Sequence, residues 1–142
     1  MNNQFGQTKT KKIPKEWGVL RLGNIVRWTK GRKPQDTSDI YVDGYLPYLS
    51  TEYLRVNGKT TFAKPSAKTI LVNDGDLLLL WDGSNAGEFF VGKKGILSTT
   101  MVKIEPKGKD TNWQFLFYLL KNKESILSGL TRGTGIPHVD RN

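Results

Sequence analysis

Few residues in this sequence are suited to catalysis. Asp76, Asp82 and Glu88 precede the adjacent Lys93 and Lys94, which is the residue set, though not the spacing, of a small metal-dependent nuclease whose carboxylates hold a divalent cation beside a lysine. Asp74 and Asp76 also stand in an Asn-Asp-Gly-Asp stretch, where turn preferences alone favour such residues. His138 follows Pro137 with no candidate partner for acid–base work, and reads as a packed or solvated ring. Asp82-Gly83-Ser84-Asn85-Ala86-Gly87 follows an apolar run as a phosphate cradle would. A strand rather than a helix is expected after it, so no helix N-terminus faces an anion there. It reads as a surface loop whose small residues allow close approach to another surface.

The cations are more informative. The 142 residues include 22 Lys and Arg against 13 Asp and Glu, a formal net charge of +9. Lys30, Arg32 and Lys33 surround Gly31, Arg55 and Lys59 flank Asn57-Gly58, Lys93 and Lys94 precede a strand, and Arg132 stands in the last loop. Lys107, Lys109, Lys121 and Lys123 read instead as a solvated face. In loops rich in Ser, Thr, Asn, Gly and Tyr, lysine and arginine meet phosphates while their short polar neighbours reach base edges. This interleaving points to nucleic acid.

Other classes are excluded by what is missing. Without cysteine there is no disulfide, thiolate metal site or cysteine nucleophile, and one histidine cannot make a histidine cluster. The longest apolar run, Leu77 to Trp81, is far short of the roughly 20 residues of a membrane span. Residues 1–12 are polar and basic and read as a flexible arm or leader, not a secretory signal. A cytoplasmic location follows as an expectation. The apolar share of 37% and aromatic share of 11% suit one compact folded domain.

These loops need elements to hold them. Leu22 to Val26 reads as a short turn feeding a strand that ends at Gly31, and Arg32 to Gly44 has loop composition. Tyr45 to Leu49 reads as a strand that its proline pushes toward a sheet edge or strand end. Thr51 to Val56 suits one helical turn, and Asn57-Gly58 is a two-residue turn signal. Strands are expected at Thr69–Val72, Leu77–Trp81, Glu88–Val91 and Ser98–Ile104. The four leucines 77–80 fit a strand buried on both faces. Thr111 and Gln114 have capping-box spacing, Trp113, Leu116, Phe117 and Leu120 recur at helical spacing with Leu127 and Leu130 continuing the stripe, and Gly129 is a candidate stop. That stripe reads as the core face of a helix, and the tail from Thr131 reads as irregular. The expected class is α+β: a mixed sheet of short strands with long loops and one long C-terminal amphipathic helix.

From Ile13 to about Val139 the chain resembles the target recognition domain of the specificity subunit of type I restriction-modification enzymes. Ile13-Pro14-Lys15-Glu16-Trp17 and Leu22-Gly23-Asn24-Ile25 are similar to its opening motif. Lys30-Gly31-Arg32-Lys33-Pro34, Gly44 to Ser50 and Glu52-Tyr53-Leu54 resemble the glycine, loop and proline-aromatic pattern that follows. Val72 to Leu79 and Trp81-Asp82-Gly83-Ser84 with Gly87 resemble its central strand and polar loop. Gly95 to Thr100 resembles the next segment, and Gly133 to Val139 the closing signature. No piece is specific alone; their order and spacing are.

The resemblance implies a domain, here residues 13–142, that reads one half of a split double-stranded DNA site. It would hold no active site and deliver that site to a methyltransferase (modification) subunit and a restriction subunit, with a second specificity half-subunit as a further partner. S-adenosylmethionine, ATP and magnesium would belong to those partners, with no cofactor in this chain and no membrane contact. The family's long spacer helices are expected to be absent, since the chain ends at Asn142 where one should begin. An excised domain, a natural half-subunit and a truncated product all fit that ending. Within this reading Arg32, Thr51, Ser84 and Asn85 are the expected base contacts. Lys30, Lys33, Lys93, Lys94 and Arg132 are the expected phosphate contacts. Tyr48 and Tyr53 either pack on sugars or bases or brace their loop. The alternatives are the metal-dependent nuclease above and a protein-interaction module that imitates a specificity subunit.

Overall fold

The computed structural model of the protein describes residues 14, 16, 18, 20–124, 131–132 and 138–139. The expected arm at 1–12, Ile13, Lys15 and Trp17 of the opening motif, Leu127, Gly129 and Leu130, and most of the closing signature lie outside the described residues.

A single turn of helix, α1 (Leu22–Ile25), feeds β1 (Val26–Lys30). β1 pairs antiparallel with β9 (Met101–Pro106), β9 with β6 (Leu77–Leu80), and β6 with β7 (Phe89–Val91), giving a four-stranded sheet in the order β1-β9-β6-β7. A second sheet of five strands runs β2 (Thr37–Ser38), β4 (Phe62–Ala63), β3 (Leu46–Leu49), β8 (Gly95–Leu97), β5 (Leu71–Val72). Its β3–β8 pair is parallel and the rest antiparallel.

The four leucines are buried on both faces, as their unbroken run suggests. Leu77 and Leu79 join Val26, Phe89, Val102, Ile104 and two residues of α3 (Trp113–Lys121), Leu116 and Leu120. Leu78 and Leu80 point the other way, to Leu49, Val72, Phe90, Leu97 and Met101 between the two sheets. The period of two along a strand thus feeds two cores from one segment. The fold is α+β, with the four-stranded sheet as the middle layer.

Several elements differ from expectation. Ser98 to Thr100 is a turn: the strand begins at Met101, and β8 precedes it. β3 is interior despite Pro47. Its ladder with β8 begins one residue later, at Tyr48, so the N–H that proline lacks falls where β8 has not yet joined. Asn57-Gly58 makes no hairpin; Asn57 is the left-handed C-cap (φ 53°) of α2 (Thr51–Val56). The cap of α3 is Asn112, whose side chain accepts from the Phe115 N–H, one residue beyond the expected Thr111–Gln114 box. The described part of α3 is nine residues. The tail is not wholly irregular, since β10 (Thr131–Arg132) pairs with β11 (His138–Val139).

Not all of the lysines taken for a solvated face are idle. Lys121 donates to the Phe89 carbonyl at 3.0 Å while Glu124 accepts from the Phe89 N–H at 2.7 Å. Together they occupy the outward backbone groups of Phe89 on the edge strand β7, which would otherwise stand open to another chain. Lys107 donates to the Gly23 carbonyl at 2.8 Å.

Candidate nucleic-acid interface

Strand direction decides which loops meet. β1, β6, β3 and β8 all end, and β7 and β9 begin, at one end of the two layers, because Lys30 pairs with Val102, Leu80 with Met101 and Leu49 with Leu97. The Gly31 loop, the Ser50 turn into α2, the 82–87 loop and the 98–100 turn are therefore neighbours. Gly31 has no room for a side chain: a methyl group there would stand 1.9 Å from the Ser98 carbonyl oxygen. Its N–H donates to the Met101 carbonyl at 3.0 Å.

The 82–87 loop is held from within and without. Gly83 (φ 114°) and Gly87 (φ 103°) take conformations that side chains disfavour. The Gly87 N–H donates to the Leu80 carbonyl at 2.8 Å and the Ala86 N–H to the Gly83 carbonyl at 3.2 Å. Ala86 is buried, leaving Ser84 and Asn85 as the exposed tip. Lys30 forms an ion pair with Asp82 at the start of the loop, and Arg55 of α2 forms one with Glu88 at its end. Below them Trp28 and Trp81 meet edge to face, ring centroids 6.1 Å apart.

Of the expected base contacts, Arg32, Thr51, Ser84 and Asn85 all lie on segments at this end, and Arg32, Ser84 and Asn85 are exposed. Lys33 is exposed beside Tyr48. The Tyr48 hydroxyl accepts from the Thr99 N–H at 3.0 Å. Burial pushes the pKa of this phenol up, but hydrogen bonds from Thr99 and Ser98 and the charge of Lys33 outweigh it and leave it below the ordinary value. Tyr48 thus braces the 98–100 turn.

Of the other expected cations, Lys30 stays at this end but is paired, whereas Lys93 and Lys94 engage other parts of the fold. Lys30 is committed to Asp82. Lys93 donates to the Asn57 side chain and lies 5.0 Å above the Tyr53 ring, so both Lys93 and Tyr53 brace the C-terminal end of α2. Lys94 lies at the opposite end of the sheets, its N–H bonded to Asp74 in the turn before β6. Arg132 belongs to β10, and its side chain lies outside the described residues.

The nuclease reading does not survive this geometry. Asp76 and Asp82 stand at opposite ends of β6, six residues and about 20 Å apart at strand rise. Asp76 accepts from the Asn73 N–H, Asp82 pairs with Lys30 and Glu88 with Arg55. Among the described residues no three His, Asp or Glu are grouped to hold a metal ion. No helix among them is long and apolar enough to cross a membrane.

Sequence reasoning missed Glu88 and Arg55 as a pair. Both were visible as charges, but 33 positions separate them and only the tertiary fold brings Arg55 of α2 to the start of β7. Asp36 was also missed; hydrogen bonding from the Tyr45 hydroxyl to its carboxylate raises that phenol's pKa.

Comparison with known proteins identifies the family. Residues 14–142 match the family described as the type I restriction modification DNA specificity domain. The chain is 55% identical over 130 residues to the type I restriction enzyme MjaVIII specificity subunit of Methanocaldococcus jannaschii, covering 92% of this chain and 31% of that protein. Two solved structures share the fold. One is the type I restriction-modification S subunit from M. genitalium (TM-score 0.59, 15% identity, 84% of this chain and 30% of the other). The second is the HsdS subunit from Thermoanaerobacter tengcongensis (TM-score 0.62, 16% identity, 92% and 35%). The chain spans about a third of the length of each of these relatives.

Proposed function

The chain belongs to the type I restriction modification DNA specificity domain family, and from that premise we propose that it is one target recognition domain, reading a half-site of double-stranded DNA. The observation that carries this is the convergence of three polar loops at one end of the sheets. They present Arg32, Ser84 and Asn85 to solvent, with Lys33 alongside. The major groove, about 12 Å wide, gives each base pair a distinct donor and acceptor pattern and admits a narrow protrusion such as Ser84-Asn85. Arg32, Thr51, Ser84 and Asn85 read bases. Lys33 meets phosphate, while Tyr48 and Tyr53 hold the loops from behind. Arg132 joins the phosphate contacts on its sequence context alone.

Charge orients the domain. Between Pro34 and Gly44 there are three acidic residues, Asp36, Asp39 and Asp43, and no Lys or Arg. Phosphates are repelled from that stretch and drawn to the Gly31 loop that precedes it. The chain itself performs no catalysis. It delivers the half-site to methyltransferase and restriction subunits that bring S-adenosylmethionine, ATP and magnesium, within the cytoplasm, and a second specificity half-subunit reads the other half-site.

Selection from a random duplex library tests this. A short enriched sequence is expected, together with intact plasmid after incubation with magnesium or manganese. Binding without enrichment, or cleavage, contradicts it.

A further inference from the structure

Two ion pairs sit where the recognition loops meet, and stability does not explain them. Side-chain exposures are 40% and 28% for Lys30 and Asp82, and 37% and 31% for Arg55 and Glu88. Pairs this open to water contribute only about 0–1 kcal/mol each. Both also neutralise cations at a surface that meets polyanionic DNA, which lowers general affinity. What they do achieve is geometric. Asp82 and Glu88 bracket the 82–87 loop, and their partners come from the two other reading segments, Lys30 from the rim of the Gly31 loop and Arg55 from α2. The Arg55 guanidinium is itself fixed, engaging both Glu88 oxygens and lying 5.6 Å above the Phe90 ring. Glu88 keeps this side chain firmly protonated, raising its pKa.

We propose that Asp82 and Glu88 are positioning residues for base recognition: through Lys30 and Arg55 they lock the 82–87 loop to the Gly31 loop and to α2. Arg32, Thr51, Ser84 and Asn85 then meet the duplex as one preorganised surface. This rests on the DNA-reading function above. The lock exchanges non-specific attraction for discrimination, because a loop fixed before contact loses no freedom on docking and cannot adjust to a wrong base.

The isosteric variants Asp82→Asn and Glu88→Gln and the charge exchange Lys30→Glu with Asp82→Lys test it in the full chain. Three quantities are read: amide hydrogen exchange at residues 83–87 without DNA, melting temperature, and the affinity ratio between the library-selected duplex and a scrambled one. Each single variant should speed exchange at 83–87, barely move the melting temperature, and lower the ratio about tenfold while non-specific affinity rises. The exchanged pair should recover most of the ratio. Unchanged exchange, or faster exchange with an undiminished ratio, overturns the positioning role. A parent domain that prefers no sequence overturns the DNA-reading function instead, and the hydrogen exchange still reports whether the lock exists.

Discussion

Arg32 and Lys33 are adjacent, exposed and engaged in no ion pair among the described residues, yet they are assigned different work. Arg32→Ala should relax discrimination by about 1–3 kcal/mol at one base position. Lys33→Ala should weaken binding to all sequences alike and flatten the salt slope by about one unit. Equal effects of both on every duplex in a library titration contradict the assignment. Lys93→Ala, by contrast, should leave the salt slope unchanged, since that ammonium is held by Asn57 and the Tyr53 ring. Tyr48 supplies a pH test. Its pKa is lowered by folding, so the phenolate forms in the folded chain before it does in the unfolded one. The stability this contributes is present above the unfolded pKa and is lost as pH falls through the folded value. Alkaline titration of phenolate absorbance should therefore show one early tyrosine, absent in Tyr48→Phe.

Elements set the reach of these side chains. α2 is six residues long and begins where Ser50 accepts from the Tyr53 N–H at 3.1 Å. So short a helix owes its place to its caps and its contacts rather than to propensity. Ser50→Ala should cost about 1 kcal/mol in denaturant unfolding. It should also loosen Arg55, so that discrimination drops along with stability; unaltered recognition would show that α2 does not hold the loop. At the base of the first loop, Gly31→Ala forces apart β1 and the Ser98 carbonyl. A destabilisation of about 1–3 kcal/mol is expected from the overpacking, with Ser98 and Thr99 amides reporting the shift by nuclear magnetic resonance.

At the scale of the whole molecule, β6 belongs to both cores and joins helix, middle sheet and second sheet. Leu78 is fully buried between the sheets. Leu78→Ala should remove about 2–5 kcal/mol of stability. Since the recognition end depends on how the second sheet sits on the first, binding should be lost at temperatures where the parent is still folded. Calorimetry and titration on one sample check both. A single domain neutralises few phosphates, so its affinity in physiological salt should be about micromolar or weaker and should fall steeply as salt is raised.

Local chemistry was legible along the chain because local rules are short-ranged. The leucine run announced a strand buried on both sides, the loops announced themselves by Gly, Asn and Asp, and the ordered motifs announced the family. Errors came where a neighbour distant in sequence settled the matter. Pro47 sits in an interior strand because β8 joins one residue late, and Asn57 caps a helix because α2 precedes it. Lys93 and Lys94 read like any other loop cations until strand direction carried Lys94 to the far end and α2 captured Lys93. Sequence by itself determined which residue types were available to meet DNA, through charge and turn preference acting over a few residues. Only the tertiary structure decided which of them share a surface and which are tied to one another. That depends on strand register and direction, and on ion pairs that close over 33 and 52 positions of chain.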